Sequence, residues 1–288
     1  MFRFLCTLVV MIASLAGSIR AAAGAAEDVC WPLALETRYL TGNFMESRGG
    51  RFHTAIDLKT EERTGIPVLA VRDGWISRIK TAPDGYGKAL YLTDEGGWTY
   101  VYAHLERLAD APRERIHARQ RSTGRYRCDL HLGAGDLPVR QGEVIALSGR
   151  TGTDGPHLHF EVRDQAGMPV NPLLHGFAVQ DTIAPEILAV RVWWGNRVYR
   201  HGDGERPLAG ELPPLVLPPG PARVSARIVE RSDHLRYRLA PFRVELAREG
   251  GPLLASDENR RLRWRDVRAE RLVHRETALG RERALWVP

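Results

Sequence analysis

The sequence is poor in lysine, in cysteine and in long apolar runs. Only three of its 41 basic residues are lysines, so arginine carries most of the formal net charge of +6. An arginine bias of this kind fits a nucleic-acid surface, an acidic partner or simple genome composition. Outside the N-terminus, no stretch approaches the roughly 20 apolar residues that a membrane-spanning helix needs. We therefore expect no stable membrane insertion of the mature chain.

The N-terminus has the pattern of a secretory signal. Residues 1–3 form a short basic start, residues 4–16 are nearly uncharged, and the alanines at and just after 21–23 offer a small-residue cleavage site. An uncleaved membrane anchor is the alternative, but the apolar run is short for one. We predict that residues 1–26 are a signal peptide and that the protein is exported to the periplasm or cell envelope. Because an exported protein seldom meets nucleic acid, no nucleic-acid partner is expected.

Three cysteines limit the possible disulfides. Cys6 lies inside the predicted signal, which leaves Cys30 and Cys128 in the mature chain. In an oxidising compartment this pair can form a disulfide that ties the mature N-terminus to the middle of the domain. Two unpaired thiols fit the spacing almost equally well.

Residues 36–176 contain short runs of β-branched and aromatic residues separated by glycine, which predicts a mainly antiparallel β-domain. Gly96-Gly97 lies between two of these runs and predicts a hairpin turn. The runs are IPVLAV (66–71), GWISRIK (74–80), KALYLTD (88–94), WTYVYAHL (98–105), VIALSG (144–149) and HLHFEV (157–162).

A polar segment, residues 106–136, interrupts the strand pattern and carries seven arginines. Its first half can form a short helix after Pro112. The segment is either a solvated surface excursion, which we favour, or a basic rim beside a cleft that attracts carboxylated substrates.

Two proline-rich breaks follow, at 181–187 and 213–222. Beyond the second, RVSARIVE and FRVELAREGG alternate apolar with charged residues, as half-exposed strands do. We predict that residues 180–288 form a small β-sandwich. It has no evident catalytic constellation, and its three histidines are interpreted as surface residues.

The stretch GPHLHFEV (155–162) holds two histidines one residue apart on a predicted strand. Alternate side chains of a strand share a face, so His157 and His159 should lie close together. Two charged imidazoles repel each other, whereas a metal ion can bind one as a neutral ligand and leave the other free for proton chemistry. A wet strand face is the alternative, but Leu158 and Phe160 between and beside the histidines indicate a core strand.

A second candidate source of ligands is RFHTAIDLKT, where His53 and Asp57 are four residues apart. That spacing places both on one face of a strand or a helix. Alone it is a weak signal, but with His157 and His159 it gives a mixed nitrogen and oxygen set that suits zinc. The H-E-x-x-H motif with its glutamate base is absent, so imidazole would have to handle the proton.

These motifs, taken in order, resemble the lysostaphin-type, or LytM-like, zinc metalloendopeptidases, which are peptidoglycan hydrolases. The resemblance covers residues 40–176, and it implies a LytM-like zinc metallopeptidase domain over residues 27–179. The junction at 181–187 and the β-rich tail are similar to exported members with an Ig-like module, which implies such a module at 180–288. The matching stretches are GGRFHTAID, GIPVLAVRDGWISRI, GYGKALYL, TYVYAHL, VRQGEVIALSGRTGTDGPHLHFEVR and the trailing VNP.

The resemblance implies that His53, Asp57 and His159 hold one zinc ion per chain. His104 and His157 would be a catalytic pair that does not bind the metal. One would deprotonate the attacking water, while the other, or the pair together, would stabilise the oxyanion and protonate the leaving amine. Their individual roles stay open. By strand alternation His104 also shares a face with two tyrosines, and packing is the alternative role for such a residue.

Three further residues are candidates for supporting roles. Glu161 has the strand parity of His157 and His159, so it can orient a ligand ring, or it can be an ordinary exposed acid. Some family members use a tyrosine upstream of the first histidine to stabilise the transition state, whereas this chain offers Arg48 and Arg51 there.

The function expected from the resemblance is zinc-dependent hydrolysis of amide bonds in peptidoglycan stem peptides or cross-links. We favour an endopeptidase that acts on cross-links containing D-Ala. A catalytically silent regulator of cell-wall amidases is a second hypothesis, but all five motif residues are intact. A wall-binding or polyanion-binding module is a third hypothesis, and such binding would fall steeply with salt.

Overall fold

The structure is a computed structural model that describes residues 8–13, 29–48, 51–179, 181–208, 222–233, 238–248, 253–258, 260, 274–277 and 280–287. In chain order the elements are β1 (Leu8–Ala13), β2 (Leu40–Gly42), β3 (Ile56–Lys59), β4 (Pro67–Leu69), β5 (Gly74–Thr81), β6 (Lys88–Thr93), β7 (Thr99–Ala103), β8 (Arg107–Leu108), α1 (Asp110–Thr123), β9 (Cys128–His131), β10 (Pro138–Val139), β11 (Val144–Leu147), β12 (His157–Arg163), β13 (Pro169–Val170), a 3-10 helix (Pro172–Leu174), β14 (Glu186–Trp194), β15 (Arg197–His201), β16 (Ala222–Arg231), β17 (Arg238–Leu239), β18 (Arg243–Arg248), β19 (Leu253–Glu258), β20 (His274–Thr277) and β21 (Gly280–Val287).

A nine-stranded sheet dominates the first half of the chain. Its strand order is β10-β5-β6-β7-β12-β3-β2, with β9 beside β5 and β13 beside β12, and every pairing is antiparallel. A small sheet, β4-β11-β8, lies outside this order. Gly97 (φ +79°) stands in the turn between β6 and β7, at the predicted hairpin. The prediction of a mainly antiparallel β-fold is confirmed.

Side chains alternate across these strands because successive residues of a strand point to opposite faces. Leu158, Phe160, Tyr100 and Tyr102 all belong to the main hydrophobic cluster and are nearly or fully buried. The Phe160 ring packs against the ring of Phe177 with centroids 4.7 Å apart and against Tyr102 at 5.4 Å. Val162 continues this core face, and His157, His159 and Glu161 therefore point away from the core.

Tyr102 adds one polar contact to the core: its hydroxyl accepts a hydrogen bond from the Val71 N–H at 3.1 Å. Replacing Tyr102 by phenylalanine should lower the free energy of unfolding by about 1–3 kcal/mol, because a buried N–H is left without its partner. Denaturant unfolding followed by tryptophan fluorescence measures this change. Tyr126→Phe is the matched control, since that ring is 49% exposed. Equal midpoints for the two variants would contradict the prediction.

The arginine-rich segment contains a well-formed helix. Helix α1 begins at Asp110, two residues before Pro112. Pro112 fits there because proline is tolerated in the first turn of a helix. Gly124 ends it in the left-handed conformation (φ +64°), which glycine adopts without strain. The buried Ile116 anchors the helix to the main hydrophobic cluster. The segment is thus a packed excursion with exposed arginines, and its role as a basic rim stays a prediction.

The structure corrects the possible Cys30–Cys128 disulfide that the sequence suggested, because both residues are free thiols. Cys30 donates its S–H to the Trp31 carbonyl at 3.4 Å. Cys128 donates to the Arg125 carbonyl at 3.4 Å. The two sulfurs therefore have different neighbours, and the alternative of two unpaired thiols is the one that the structure has.

The described part of residues 180–288 also consists of antiparallel strands. One sheet has the order β15-β14-β16-β21-β20, with β17 beside β16, and another has the order β1-β18-β19. The Ig-like sandwich and the domain boundaries stay predictions. Strand β1 lies inside the predicted signal peptide and pairs with β18, and most of residues 1–26 lie outside the described residues. Among the described residues, no helix is long and apolar enough to cross a bilayer.

Candidate metal centre

The centre is built where β12 lies between β3 and β7. In the antiparallel register His159 stands opposite Asp57 on one side and Ala103 on the other. Directly opposed residues of an antiparallel pair have neighbouring side chains on the same face. Since Leu158 and Phe160 fill the core, His157 and His159 lie on the opposite face of β12, as the alternation predicts.

His53 comes from the loop before β3, so only Asp57 of the H-x-x-x-D pair lies in a strand. Two backbone hydrogen bonds fix this loop: the Met45 N–H donates to the His53 carbonyl at 2.8 Å, and the His53 N–H donates to the Glu46 carbonyl at 2.9 Å. His53 is thereby held beside the strand that carries Asp57.

His53, Asp57 and His159 converge on one point. His53 Nε2 lies 3.2 Å from His159 Nδ1 and 3.2 Å from Asp57 Oδ1, and His159 Nδ1 lies 3.2 Å from the same oxygen. One ligand atom from each residue lies within 4.8 Å of the others, and all three residues are buried. Two imidazole nitrogens and a carboxylate oxygen form a donor set that suits zinc, and three protein ligands are typical of a catalytic site.

Neighbouring groups orient each of these three side chains. The Nδ1–H of His53 donates to the Asn43 carbonyl at 2.9 Å, which leaves the Nε2 lone pair facing His159 and Asp57. The Nε2–H of His159 donates to Glu161 Oε1 at 3.0 Å, which leaves Nδ1. Arg48 donates to the second oxygen of Asp57, Oδ2, at 2.7 Å. Outer hydrogen bonds of this kind fix the tautomer and the ring direction of metal ligands.

The electrostatics of the centre favour a positive charge. Burial alone would raise the pKa of the Asp57 carboxyl, but the adjacent His53 and His159 imidazoles hold it well below its ordinary value. Burial would likewise lower the pKa of His159, but its hydrogen bonds to Asp57 and Glu161 outweigh this effect and raise the pKa to about 9. The residues present therefore fit a divalent cation, because they already stabilise positive charge between two carboxylates.

Glu161 is fully buried and is not the exposed acid that was the alternative. Besides His159, it accepts hydrogen bonds from Thr54 Oγ1 at 2.8 Å, from the hydroxyl of Tyr86 and from Arg163 Nε at 2.7 Å. Burial raises the pKa of the carboxyl, but Arg163 and His159 more than reverse this and keep it ionised. Glu161 thus gives His159 a fixed, charged acceptor.

His104 and His157 lie at the edge of this group. Their ring centroids are 4.7 Å apart, and the His104 ring is 5.5 Å from that of His159. His157 Nε2 lies 3.6 Å from Asp57 Oδ1, whereas the nearest ring nitrogens of His53 and His159 lie 3.2 Å from the same oxygen. Burial, followed by the nearby His159 and His157, lowers the pKa of His104 to about 3, and burial lowers that of His157. Both are therefore neutral imidazoles near pH 7.

The strand face predicted for His104 is wrong. Tyr100 and Tyr102 pack in the main cluster, whereas His104 contacts His157 and His159 on the other side. The reason is a left-handed backbone at His104 (φ +60°), directly after β7 ends, which breaks the alternation of the strand. A non-glycine residue in this region is uncommon and is found disproportionately at functional sites. The Nδ1–H of His104 donates to the Thr151 carbonyl at 2.9 Å.

The structure does not bring Arg51 into the centre: it is exposed, and its carbonyl accepts a hydrogen bond from the Arg48 N–H at 2.8 Å. Four residues of the centre were not predicted from the sequence: Asn43, Thr54, Tyr86 and Arg163. Arg163 shares the strand parity of Glu161, and that signal was available. Asn43 contacts His53 through its backbone carbonyl, for which the sequence has no signal.

Residues 51–121 and 130–172 match the model of peptidase family M23. The stretch between the two blocks lies within the arginine-rich segment, so the interruption coincides with the end of α1 and the turn that follows it.

Curated relatives include "DD-carboxypeptidase/endopeptidase Mpg" of Neisseria meningitidis, 36% identical over 43% of this chain and 22% of the relative. They also include "Murein hydrolase activator NlpD" of Salmonella typhimurium, 29% identical over 46% of this chain and 27% of the relative. The matched region therefore spans only about a quarter of these proteins. Among solved structures, a zinc-containing peptidase from Vibrio cholerae is 26% identical, with a TM-score of 0.37 over 49% of this chain and 37% of that one. The family resemblance predicted from the motifs is confirmed: residues 51–121 and 130–172 of the chain are similar to peptidase family M23.

Proposed function

We propose that this protein is an exported zinc endopeptidase that hydrolyses amide bonds in the stem peptides or cross-links of peptidoglycan. The observation that carries the proposal is the buried convergence of His53, Asp57 and His159 beside two neutral histidines. The relative named as a DD-carboxypeptidase/endopeptidase supports cleavage next to D-amino acids. Residues 27–179 would be the catalytic domain, and residues 180–288 an Ig-like module that follows it.

The ligand assignment follows from the donor set. His53 Nε2, His159 Nδ1 and Asp57 Oδ1 would hold the metal, with the Asn43 carbonyl and the Glu161 carboxylate fixing the two rings. When bound, a zinc ion supplies Lewis acidity that lowers the pKa of water to about 7 and polarises a carbonyl. Because three residues would hold the ion, it would remain accessible to water or substrate.

His104 and His157 would carry the proton chemistry. In each ring Nδ1–H donates to a backbone carbonyl, of Thr151 for His104 and of Gly155 for His157, so Nε2 is the nitrogen left for catalysis. One imidazole would take the proton of the attacking water. The imidazolium so formed, now protonated on Nε2, would stabilise the developing oxyanion and later give that proton to the leaving amine, with the second imidazole beside it. Arg48 donates a hydrogen bond to Asp57. This contact supports a role in orienting the Asp57 carboxylate, and not a role in contacting the oxyanion.

The direct test is metal content together with peptide cleavage by the purified mature chain. We expect about one zinc per chain and shortening of cross-linked muropeptides, seen by mass analysis. A chelator should abolish cleavage, and added zinc should restore it, because the surrounding sheet has a large hydrophobic core of its own that does not include the candidate ligands. A zinc-loaded chain that leaves defined muropeptides intact would contradict the proposal.

A regulator of cell-wall hydrolases is the second candidate function, and the similarity to a murein hydrolase activator favours it. The same experiment separates the two. A regulator on its own would leave muropeptides intact, but it would increase their cleavage by an added cell-wall amidase. A wall-binding module would bind the wall equally well with and without chelator and would lose this binding at high salt.

A further inference from the structure

Asn43 connects the candidate metal centre to the C-terminal part of the chain. Its backbone carbonyl accepts the Nδ1–H of His53 at 2.9 Å. Its side-chain amide meets both backbone groups of Ala240, 197 positions away: Nδ2 donates to the Ala240 carbonyl at 2.6 Å, and the Ala240 N–H donates to Oδ1 at 3.0 Å. One residue thus contacts a candidate ligand through its backbone and a distant segment through its side chain.

Asn43 begins a loop, residues 43–48, that reaches two of the three candidate ligands. His53 exchanges two backbone hydrogen bonds with the loop, of 2.8 and 2.9 Å. At the end of the loop Arg48 donates to Asp57 Oδ2 at 2.7 Å. Glu46 accepts hydrogen bonds from the Asn43 N–H at 3.2 Å and from Arg48 at 3.3 Å, which ties the two ends of the loop together. A shift at Asn43 would therefore be transmitted to His53 and Asp57.

The segment that Asn43 contacts, residues 239–242, is itself firmly placed. Leu239 is 8% exposed and belongs to the main hydrophobic cluster together with Leu40, which precedes the 43–48 loop. Strand β17 pairs with β16 and so joins this segment to the C-terminal sheet. Phe242 is also buried. Because both backbone groups of Ala240 are used, the Asn43 amide has one defined position and not a range of surface contacts.

We propose that Asn43 is a positioning residue through which residues 239–242 hold His53 in the orientation that presents Nε2 to the metal. The inference rests on the proposed function, since it concerns the metal affinity of the same centre. Fixing a ligand ring through a carbonyl acceptor is a common device in metal sites. What is specific here is that the acceptor is held by the C-terminal region, which therefore sets metal affinity without supplying a ligand.

The test compares zinc affinity in the full mature chain, measured by competition with a chromogenic chelator, for wild type and Asn43→Ala. The variant keeps the backbone carbonyl and loses only the contact with Ala240. We expect zinc to bind about 10-fold or more weakly, the lower end of the effect of removing support from a ligand. Ala240→Pro removes the backbone N–H that donates to Asn43 Oδ1, so it should also weaken zinc binding. The double variant should bind zinc no more weakly than Asn43→Ala alone, because both changes break one contact.

Asp233→Ala is the matched control, because Asp233 joins two segments within residues 180–288 by accepting two 2.9 Å hydrogen bonds from Thr182, and these bonds do not lead to the metal centre. It should lower the unfolding midpoint without changing zinc affinity more than about twofold, within the additivity expected of distant sites. Wild-type zinc affinity in Asn43→Ala would overturn this inference alone. If that variant fails to fold, unchanged affinity in Ala240→Pro does so. A wild-type chain that binds no zinc would overturn the proposed function and this inference together.

Discussion

Replacing His159 by alanine is expected to remove both the metal and the cleavage activity of this protein. His159 Nδ1 lies 3.2 Å from His53 Nε2 and from Asp57 Oδ1, and its ring is buried, so water cannot simply take the place of the lost nitrogen. Loss of a residue that only supports a ligand costs about 10–100-fold in metal affinity, so loss of the ligand itself should cost more than about 100-fold. Atomic emission gives the metal content, and mass analysis of muropeptides gives the cleavage.

The His159→Ala variant is expected to fold, because the buried Glu161 keeps its hydrogen bonds from Thr54, Tyr86 and Arg163. Unpaired buried charges cause most large losses of stability, and none is created here. His131→Ala is the control: this histidine is 71% exposed, and its removal should change neither metal content nor cleavage. A full complement of zinc in His159→Ala would show that the ligand set has been assigned incorrectly.

Local periodicity accounts for the part of the centre that the sequence predicts well. His157 and His159 share a face of β12 because alternation depends only on neighbouring residues, and Leu158 and Phe160 signalled that this strand enters the core. The same parity identified Glu161 as a candidate partner of His159. The convergence of β3 with β12 needed the family resemblance, since the pairing of residues about a hundred positions apart has no local signal.

The features that the sequence did not reveal depend on backbone geometry or on contacts between distant segments. His104 leaves the face of the two tyrosines because its backbone turns to φ +60°, and nothing in the residues around it requires that turn. The Asn43 carbonyl is a backbone atom, and every residue has one. Arg48 was placed near the site by position alone, whereas its actual partner, Asp57, follows from the fold of the loop. For the two cysteines, the predicted compartment and the sequence spacing permitted a disulfide. The structure does not form it, because the two sulfurs lie among different neighbours.

Replacing His104 is expected to have the opposite pattern from replacing His159: the metal stays and the reaction stops. His104 is not one of the three residues whose ligand atoms lie within 4.8 Å of one another, so its loss should leave zinc affinity within a few-fold of wild type. Its imidazole is neutral near pH 7 and lies 4.7 Å from the His157 ring, in the position of a proton-transfer group. Loss of such a group lowers kcat by about 10²–10⁴-fold.

The choice of variant matters because His104 has a left-handed backbone, which costs most residues about 1–2 kcal/mol. His104→Ala therefore risks a loss of stability that could be mistaken for a catalytic effect, whereas His104→Asn keeps a side chain that tolerates this conformation. Both variants should lose turnover to the same extent while retaining zinc. His175→Ala is the matched control, since that histidine also packs against an aromatic ring, Trp98 at 5.0 Å, but lies outside the centre. Loss of zinc from His104→Asn would mean that His104 is a ligand, and unchanged kcat would leave His157 as the single histidine able to serve the reaction.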